Sequence, residues 1–279
     1  MIQILNDISG PEIVEAIEAN PAAFLAFLGQ TPQADLYNGP DMVRVVSGIP
    51  YPLCNTVSRA RFTPDSVDDQ IEETLSHFKA RQMPMLWWTG PGTTPPDLGE
   101  HLSAHGLIPA GSPPGMAADL EKLGDDLPTP TGFTVEQVRD AETLKQCASV
   151  LGKVFEFPEF VVEALAAVLL SHGLDADQPA QNFAGFLDGK VVATSTLFMA
   201  GGVAGIYNVG TLPEVRGKGI GAAMTLAAML EARSRGYRVA ILHASEFGYN
   251  IYRRLGFQDY CTMNMFAWLG SPGGQGNQE

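Results

Sequence analysis

The sequence predicts an α/β chain made of two tandem copies of one mixed-sheet fold. Three observations lead there. Strand-like and helix-like patterns interleave through both halves of the 279 residues. A Pro-, Gly- and Asp-rich seam, Gly124-Asp125-Asp126-Leu127-Pro128-Thr129-Pro130-Thr131-Gly132, separates them. The same series of elements also recurs on both sides of that seam at matched spacing.

The second half reads more clearly. Phe133-Thr134-Val135-Glu136-Gln137-Val138 alternates as a strand does. Apolar residues at helical spacing predict helices over 141–155 and 158–172. Residues 183–187 and 191–199, joined by Asp188-Gly189, form a hairpin by their turn dipeptide and β-branched flanks. A strand over 204–211 follows. Residues 220–230 hold only one polar side chain, Thr225, so that helix is buried on most of its surface. A buried strand at 239–242, a helix at 247–255 ended by Gly256, and a strand at 263–268 complete the half. The order β-α-α-β-β-β-α-β-α-β describes a mixed sheet covered by helices.

The first half is a fainter copy. An extended stretch from Asn55 leads to a helix over 66–80, a strand at 85–88, a helix at 97–104 and a strand near 116–120. Asn55 to Arg81 is 26 residues, and Asn208 to Arg233 in the second half is 25. The expected domains are therefore 1–124 and 132–269, with a linker over 125–131 and a disordered, Gly-rich tail over 270–279.

Composition narrows the function. The 45% hydrophobic content is that of a globular protein. Nothing reaches the run of about 18 apolar residues needed to span a membrane, and the first residues lack the pattern of a signal peptide. The expectation is a cytoplasmic protein, monomer or homodimer. The formal charge is −14. It divides as 6 basic against 17 acidic side chains up to residue 129, and 11 against 14 beyond. Such a field repels nucleic acid and favours a cationic acceptor. Cys54, Cys147 and Cys261 are odd in number and widely spaced, which argues against disulfides and against a metal site.

One segment carries chemistry: Tyr207-Asn208-Val209-Gly210-Thr211-Leu212-Pro213-Glu214-Val215-Arg216-Gly217-Lys218-Gly219-Ile220-Gly221-Ala222. A strand ends at a proline, and a glycine-rich turn opens a helix. The first helical turn offers free backbone N–H groups and the positive end of the helix dipole. Glycines at 217, 219 and 221 leave no Cβ to keep a pyrophosphate off those groups, and Arg216 and Lys218 add positive charge. The glycine spacing does not fit a dinucleotide fingerprint, and Lys218 is followed by Gly219 rather than the Ser or Thr of a P-loop.

Arg216-Gly217-Lys218-Gly219-Ile220-Gly221 resembles the acetyl-CoA motif of the GNAT superfamily of N-acetyltransferases. Ile251-Tyr252-Arg253-Arg254-Leu255-Gly256-Phe257 is similar to the second signature of that family. The resemblance covers roughly residues 132–268 and implies a GNAT-like fold using acetyl-CoA as co-substrate. The first half resembles a degenerate copy. In place of the glycine turn it has Ser58-Arg59-Ala60-Arg61-Phe62-Thr63-Pro64-Asp65, and an acid at the helix start repels pyrophosphate.

The resemblance also implies roles. The pantetheine arm pairs with the strand edge at Val209, Gly210 and Thr211, and a backbone N–H there polarises the thioester carbonyl. Arg216, Gly217, Lys218, Gly219, Ile220, Gly221 and Ala222 hold the pyrophosphate. Tyr252 is the general acid that protonates the departing thiolate. Ser245 lies seven residues before Tyr252, where many members carry an asparagine that contacts the coenzyme. No single general base stands out among Glu156, Glu159 and His243. The expected acceptor is a small-molecule amine or an amino terminus, attacked directly in a ternary complex. The alternatives are transfer of a longer acyl chain, or a non-catalytic acyl-CoA-binding protein that senses or recruits a partner.

Overall fold

A computed structural model describes residues 4–124 and 127–270. The tail expected to be disordered lies outside the described residues except for Gly270, as do Asp125 and Asp126 of the linker. The chain runs α1 (Glu12–Leu28), β1 (Asp35–Asn38), β2 (Val43–Val46), β3 (Asn55–Ser58), α2 (Val67–Lys79), β4 (Met85–Thr89), α3 (Leu98–Ala104), β5 (Ile108–Gly111) and β6 (Pro114–Asp119). It continues through β7 (Phe133–Gln137), α4 (Ala141–Phe155), α5 (Glu159–Ser171), β8 (Ala180–Leu187), β9 (Lys190–Ala200) and β10 (Val203–Thr211). The remaining elements are α6 (Ile220–Ser234), β11 (Val239–His243), α7 (Glu246–Arg254), β12 (Gln258–Thr262) and β13 (Asn264–Trp268). The mixed α/β class and the tandem arrangement are as the sequence predicts.

The two compact units are interleaved, whereas the sequence places one seam at 125–131. Among the described residues, one unit comprises 4–24, 113–124 and 127–261, the other 25–112 and 262–270. The reason is an exchange of strands. β6, from before the linker, pairs antiparallel with β11 from Val239↔Asp119 to His243↔Gly115. β13, from the far end, pairs antiparallel with β4 from Asn264↔Thr89 to Trp268↔Met85.

The first unit holds a seven-stranded sheet of order β12-β6-β11-β10-β9-β8-β7. Ser195 donates its hydroxyl to the Met224 carbonyl of α6 at 3.0 Å. Its neighbour Thr194 lies with Leu151 and Val154 of α4 around Gly210. Adjacent strand residues point to opposite faces, so α6 and α4 cover opposite faces of the sheet. On the α4 face, Asn20 of α1 donates to the Ala200 carbonyl at 2.9 Å. Phe24 of α1 stacks on Tyr207, ring centroids 4.8 Å apart. The core of this unit gathers Met116, Phe183, Met224, Met229, Leu242 and Phe257.

Local chemistry explains the elements. Asp140 caps α4 by accepting the Thr143 N–H at 2.8 Å. Asp188 and Gly189 both take positive φ, 50° and 77°, as the tight turn between β8 and β9 requires. Inside α6, Thr225 satisfies its hydroxyl on the Gly221 carbonyl at 3.0 Å, which lets the helix be buried around it.

The second unit holds a six-stranded sheet of order β1-β2-β3-β4-β13-β5. Its core centres on Trp87, Phe78, Ile71, Leu75, Leu98 and Leu102, all fully buried. Asn55 secures the start of β3, donating to the carbonyls of Ile49 and Pro84 at 2.8 and 3.0 Å.

Gly152 lets α4 and α5 approach closely, since a Cβ there would lie 2.5 Å from Val162 Cγ2. Alanine improves helix propensity by about 1 kcal/mol, but it collides with a β-branched side chain that has little rotamer freedom. Overpacking of this kind costs about 1–3 kcal/mol. Gly152→Ala should therefore lower stability in denaturant melts, and adding Val162→Ala should recover part of the loss. Independent, additive effects of the two changes would show that the helices do not meet there.

Candidate active site

β10 and β11 are parallel neighbours but share only two register pairs, Ala204↔Ala240 and Gly205↔Ile241. Beyond Gly205 the strands separate, so on that side the rest of β10, to Thr211, has no strand partner among the described residues. On its other side it stays paired to β9, through a register shift between Tyr207 and Gly210. Asn208 sits in that shift with φ of +52°. Tyr207 meets Phe24, and Asn208 reaches Thr196 at 3.1 Å, so two successive side chains lie on the same face. That is the mark of a β-bulge.

After β10, a single 3-10 turn at Pro213–Val215 leads into the glycine segment. Gly219 stands at the N-cap of α6 with φ of +83°, a conformation that disfavours any side chain. Residues 216–219 are exposed, and a cavity of about 390 Å³ lies against Gly217, Lys218 and Gly219. Its opposite wall is Pro128, Thr129 and Pro130 of the linker. The Pro128 carbonyl is 2.9 Å from where a Gly219 Cβ would stand, so any side chain at 219 meets backbone. Arg216 folds back and donates from Nε to the Thr211 carbonyl at 3.0 Å. In this arrangement it closes the end of β10, and Lys218 is the cation on the cavity wall.

Gly221 shows how the predicted parts converge. A Cβ there would lie 3.5 Å from Thr211 Oγ1 and 3.9 Å from Ile251 Cδ1. The end of β10, the first turn of α6 and the middle of α7 therefore meet at one point. Ser245 is the N-cap of α7, its Oγ accepting the Gly248 N–H at 3.2 Å. Tyr252 is buried and packs edge-on against Phe257 at 5.9 Å. A methyl on Gly248 would lie 2.5 Å from its ring and 3.0 Å from its hydroxyl. The phenol is thus laid back over Gly248, towards the start of α7. Burial pushes its pKa up to about 12, which keeps it protonated at neutral pH.

The candidate bases stand on three different elements. Glu156 is the left-handed C-cap of α4, at φ of 56°, and Glu159 opens α5; both are exposed. His243 ends β11, where burial pushes its imidazole down to about 4, so it is neutral and only weakly basic near pH 7. Burial raises Cys54, Cys147 and Cys261 to about 11, and none is a thiolate at neutral pH. Among the described residues, no group of three or more His, Cys, Asp or Glu side chains is placed to hold a metal ion. No helix among them is long and apolar enough to cross a membrane.

The corresponding place in the other unit is filled by the protein itself. β3 and β4 are also parallel and also share two pairs, Thr56↔Leu86 and Val57↔Trp87. There, however, Phe62 donates its N–H to the Thr94 carbonyl at 2.9 Å, and Thr94 donates back to Ala60 at 3.1 Å. α2 begins with Asp68 and Asp69 in its first turn, which occupy the positive end of its dipole.

Sequence reasoning missed Asn20, Phe24, Asn182 and Thr196, which line the sheet beside the bulge. A usable signal existed in Thr194-Ser195-Thr196, three successive hydroxyls in a strand that otherwise reads as buried.

Residues 141–259 match a family model described as an acetyltransferase (GNAT) domain. No curated protein matches the chain in sequence. In solved structures, a GCN5-related N-acetyltransferase from Kribbella flavida is similar over 93% of this chain and 96% of its own, at 23% identity and a TM-score of 0.71. One from Sphaerobacter thermophilus covers 94% of both chains at 18% identity and 0.60. A tandem GNAT protein from the clavulanic acid biosynthesis pathway covers 97% of this chain and 98% of its own, at 14% identity and 0.57. The chain has the fold of tandem GNAT proteins, and over residues 141–259 it is similar to the GNAT acetyltransferase domain.

Proposed function

We propose that the chain transfers the acetyl group of acetyl-CoA to an amine, in a site confined to the unit that carries α6 and α7. The observation that carries this reading is the separation of β10 from β11 after Gly205, directly upstream of the glycine turn. An unpaired strand edge leading into a helix N-terminus suits a ligand that is amide-bearing at one end and a diphosphate at the other. Val209, Gly210 and Thr211 would pair with the pantetheine amides, while the backbone from Gly217 to Ala222, with Lys218, would hold the diphosphate. Arg216 and Ser245 would support this from the end of β10 and the cap of α7.

The chemistry asks for two things of the protein. A backbone N–H at the bulge polarises the thioester carbonyl as negative charge grows on its oxygen. Tyr252, protonated at neutral pH as any phenol is, gives its proton to the departing thiolate. The amine attacks the carbonyl directly in its neutral form, and its nitrogen gives up a proton to solvent as the protonated thiol departs; direct attack agrees with the high pKa of all three thiols. The surplus of acidic side chains favours cationic amines as acceptors.

Acetyl-CoA should raise the melting temperature, by about 2.7 kcal/mol of stabilisation at a hundredfold excess over Kd. Gly221→Ala fits the protein around it but puts a methyl on the turn that would hold the diphosphate, and it should weaken that shift. Gly219→Asp places bulk and negative charge at the diphosphate seat and should lose it. A shift as large as wild type in both variants would remove the turn from the site.

Tyr252→Phe removes one hydroxyl and keeps the ring over Gly248. Turnover with a cationic amine identified by screening should fall by roughly 10²–10⁴-fold, the range for one positioned acid. Acetyl-CoA affinity should stay unchanged, because the lost interaction strengthens only as charge develops on sulfur. An unchanged single-turnover rate of acetyl transfer would rule the phenol out as the acid.

A further inference from the structure

A chain of buried polar side chains crosses three strands on the α4 face of the sheet, and neither the glycine turn nor Tyr252 uses it. Asn208 donates from Nδ2 to Thr196 Oγ1 at 3.1 Å. Thr196 donates that hydroxyl to Asn182 Oδ1 at 2.8 Å. Thr196 is 1% exposed and Asn182 7%. Polar groups buried this deeply cost stability unless they are bonded. On this face the next residue along each strand in one direction, Ala184 and Phe198, is apolar, while Thr194 on the other side of Thr196 is a further buried hydroxyl. Apolar residues would satisfy the sheet equally well at 182 and 196, so packing alone does not account for the chain.

Its end does. Asn208 is the residue in the left-handed conformation, at φ of +52°, inside the register shift between Tyr207 and Gly210. That conformation is unfavourable for a residue with a Cβ. Asparagine tolerates it better than most and, unlike glycine, has an amide that can be tied down. The rotation at Asn208 sets the direction of the next peptide, and hence of the N–H of Val209. Thr196 is the hinge pin. It has one hydrogen, committed to Asn182, so its lone pairs are turned to the Asn208 amide.

We propose that Thr196, oriented by Asn182, is a positioning residue that locks Asn208 in its left-handed conformation and thereby aims the bulge N–H at the acyl carbonyl. The proposal rests on the coenzyme reading given above. The two are separable, because coenzyme A lacks the acyl carbonyl but keeps every group that the turn would hold.

The test compares wild type with Thr196→Val, Thr196→Ser and Asn208→Gly. The readouts are the affinities for coenzyme A and acetyl-CoA by calorimetry, and the carbonyl ¹³C shift of bound [1-¹³C]acetyl-CoA. A carbonyl accepting a hydrogen bond from the bulge should resonate downfield of the free ligand in wild type and in Thr196→Ser. In Thr196→Val the signal should return towards the free value, and acetyl-CoA affinity should weaken about fivefold, the size of one hydrogen bond. Coenzyme A affinity should stay within about twofold. Asn208→Gly keeps the permitted backbone but loses the tether, and it should behave like Thr196→Val.

A wild-type carbonyl shift in Thr196→Val or in Asn208→Gly would overturn the proposal. So would a Thr196→Ser variant that resembles Thr196→Val. If Thr196→Val does not fold, Asn208→Gly decides the question. A wild-type protein that binds neither ligand would sink the coenzyme reading, and this inference with it.

Discussion

Two parallel strands that stay paired for only two residues leave a stretch of strand edge with no strand partner among the described residues, and its backbone donors and acceptors must bond to water or to a ligand. This gap after Gly205 organises the unit around it. β9 holds the far side of β10 through the bulge, the linker residues 128–130 stand opposite the glycine turn, and α7 packs onto the first turn of α6 at Gly221. α1 clamps the β9–β10 hairpin from the α4 face, with Asn20 on the Ala200 carbonyl and on the Tyr207 hydroxyl, the latter at 2.6 Å. Each of these contacts keeps β10 in place while leaving its edge open.

The second unit shows the same problem solved differently. Its parallel pair also parts after two residues, but Ala60, Phe62 and Thr94 exchange backbone hydrogen bonds across the opening. There the chain's own backbone groups pair with one another. The two units thus share an architecture and differ in whether the opening is sealed, which a comparison of folds alone would not detect.

Much of the fold was legible from residue patterns. α4 was expected over 141–155 and has those bounds, because its apolar spacing and the cap at Asp140 agree. The β8–β9 hairpin followed from Asp188-Gly189, and the start of α6 from the glycine turn. Other parts left no local trace. β6 and β13 were expected as strands, yet their patterns cannot say which sheet they join, since the partner is chosen by long-range packing. α1 carries Pro21 within it and has a low contrast between its faces, and it went unread. β5 and β12 are short and largely exposed, without the alternation that marks a half-buried strand. At the site, the glycine turn and Tyr252 were visible because backbone geometry and ligand chemistry both restrict residue type there. The Asn182–Thr196–Asn208 chain was not, because its members lie 14 and 12 residues apart and meet only through strand pairing.

The exchange of β6 and β13 makes the order of synthesis matter. β6 leaves the ribosome well before β11, the strand it pairs with, and β4 must wait for β13 across the whole intervening unit. Neither sheet can close before residues near 260 have been made, so the halves cannot fold one after the other as tandem domains usually do. For the same reason, a gene split at the linker would not yield two autonomous proteins. Each product would lack a strand from the interior of its sheet, and duplication here has become mutual dependence.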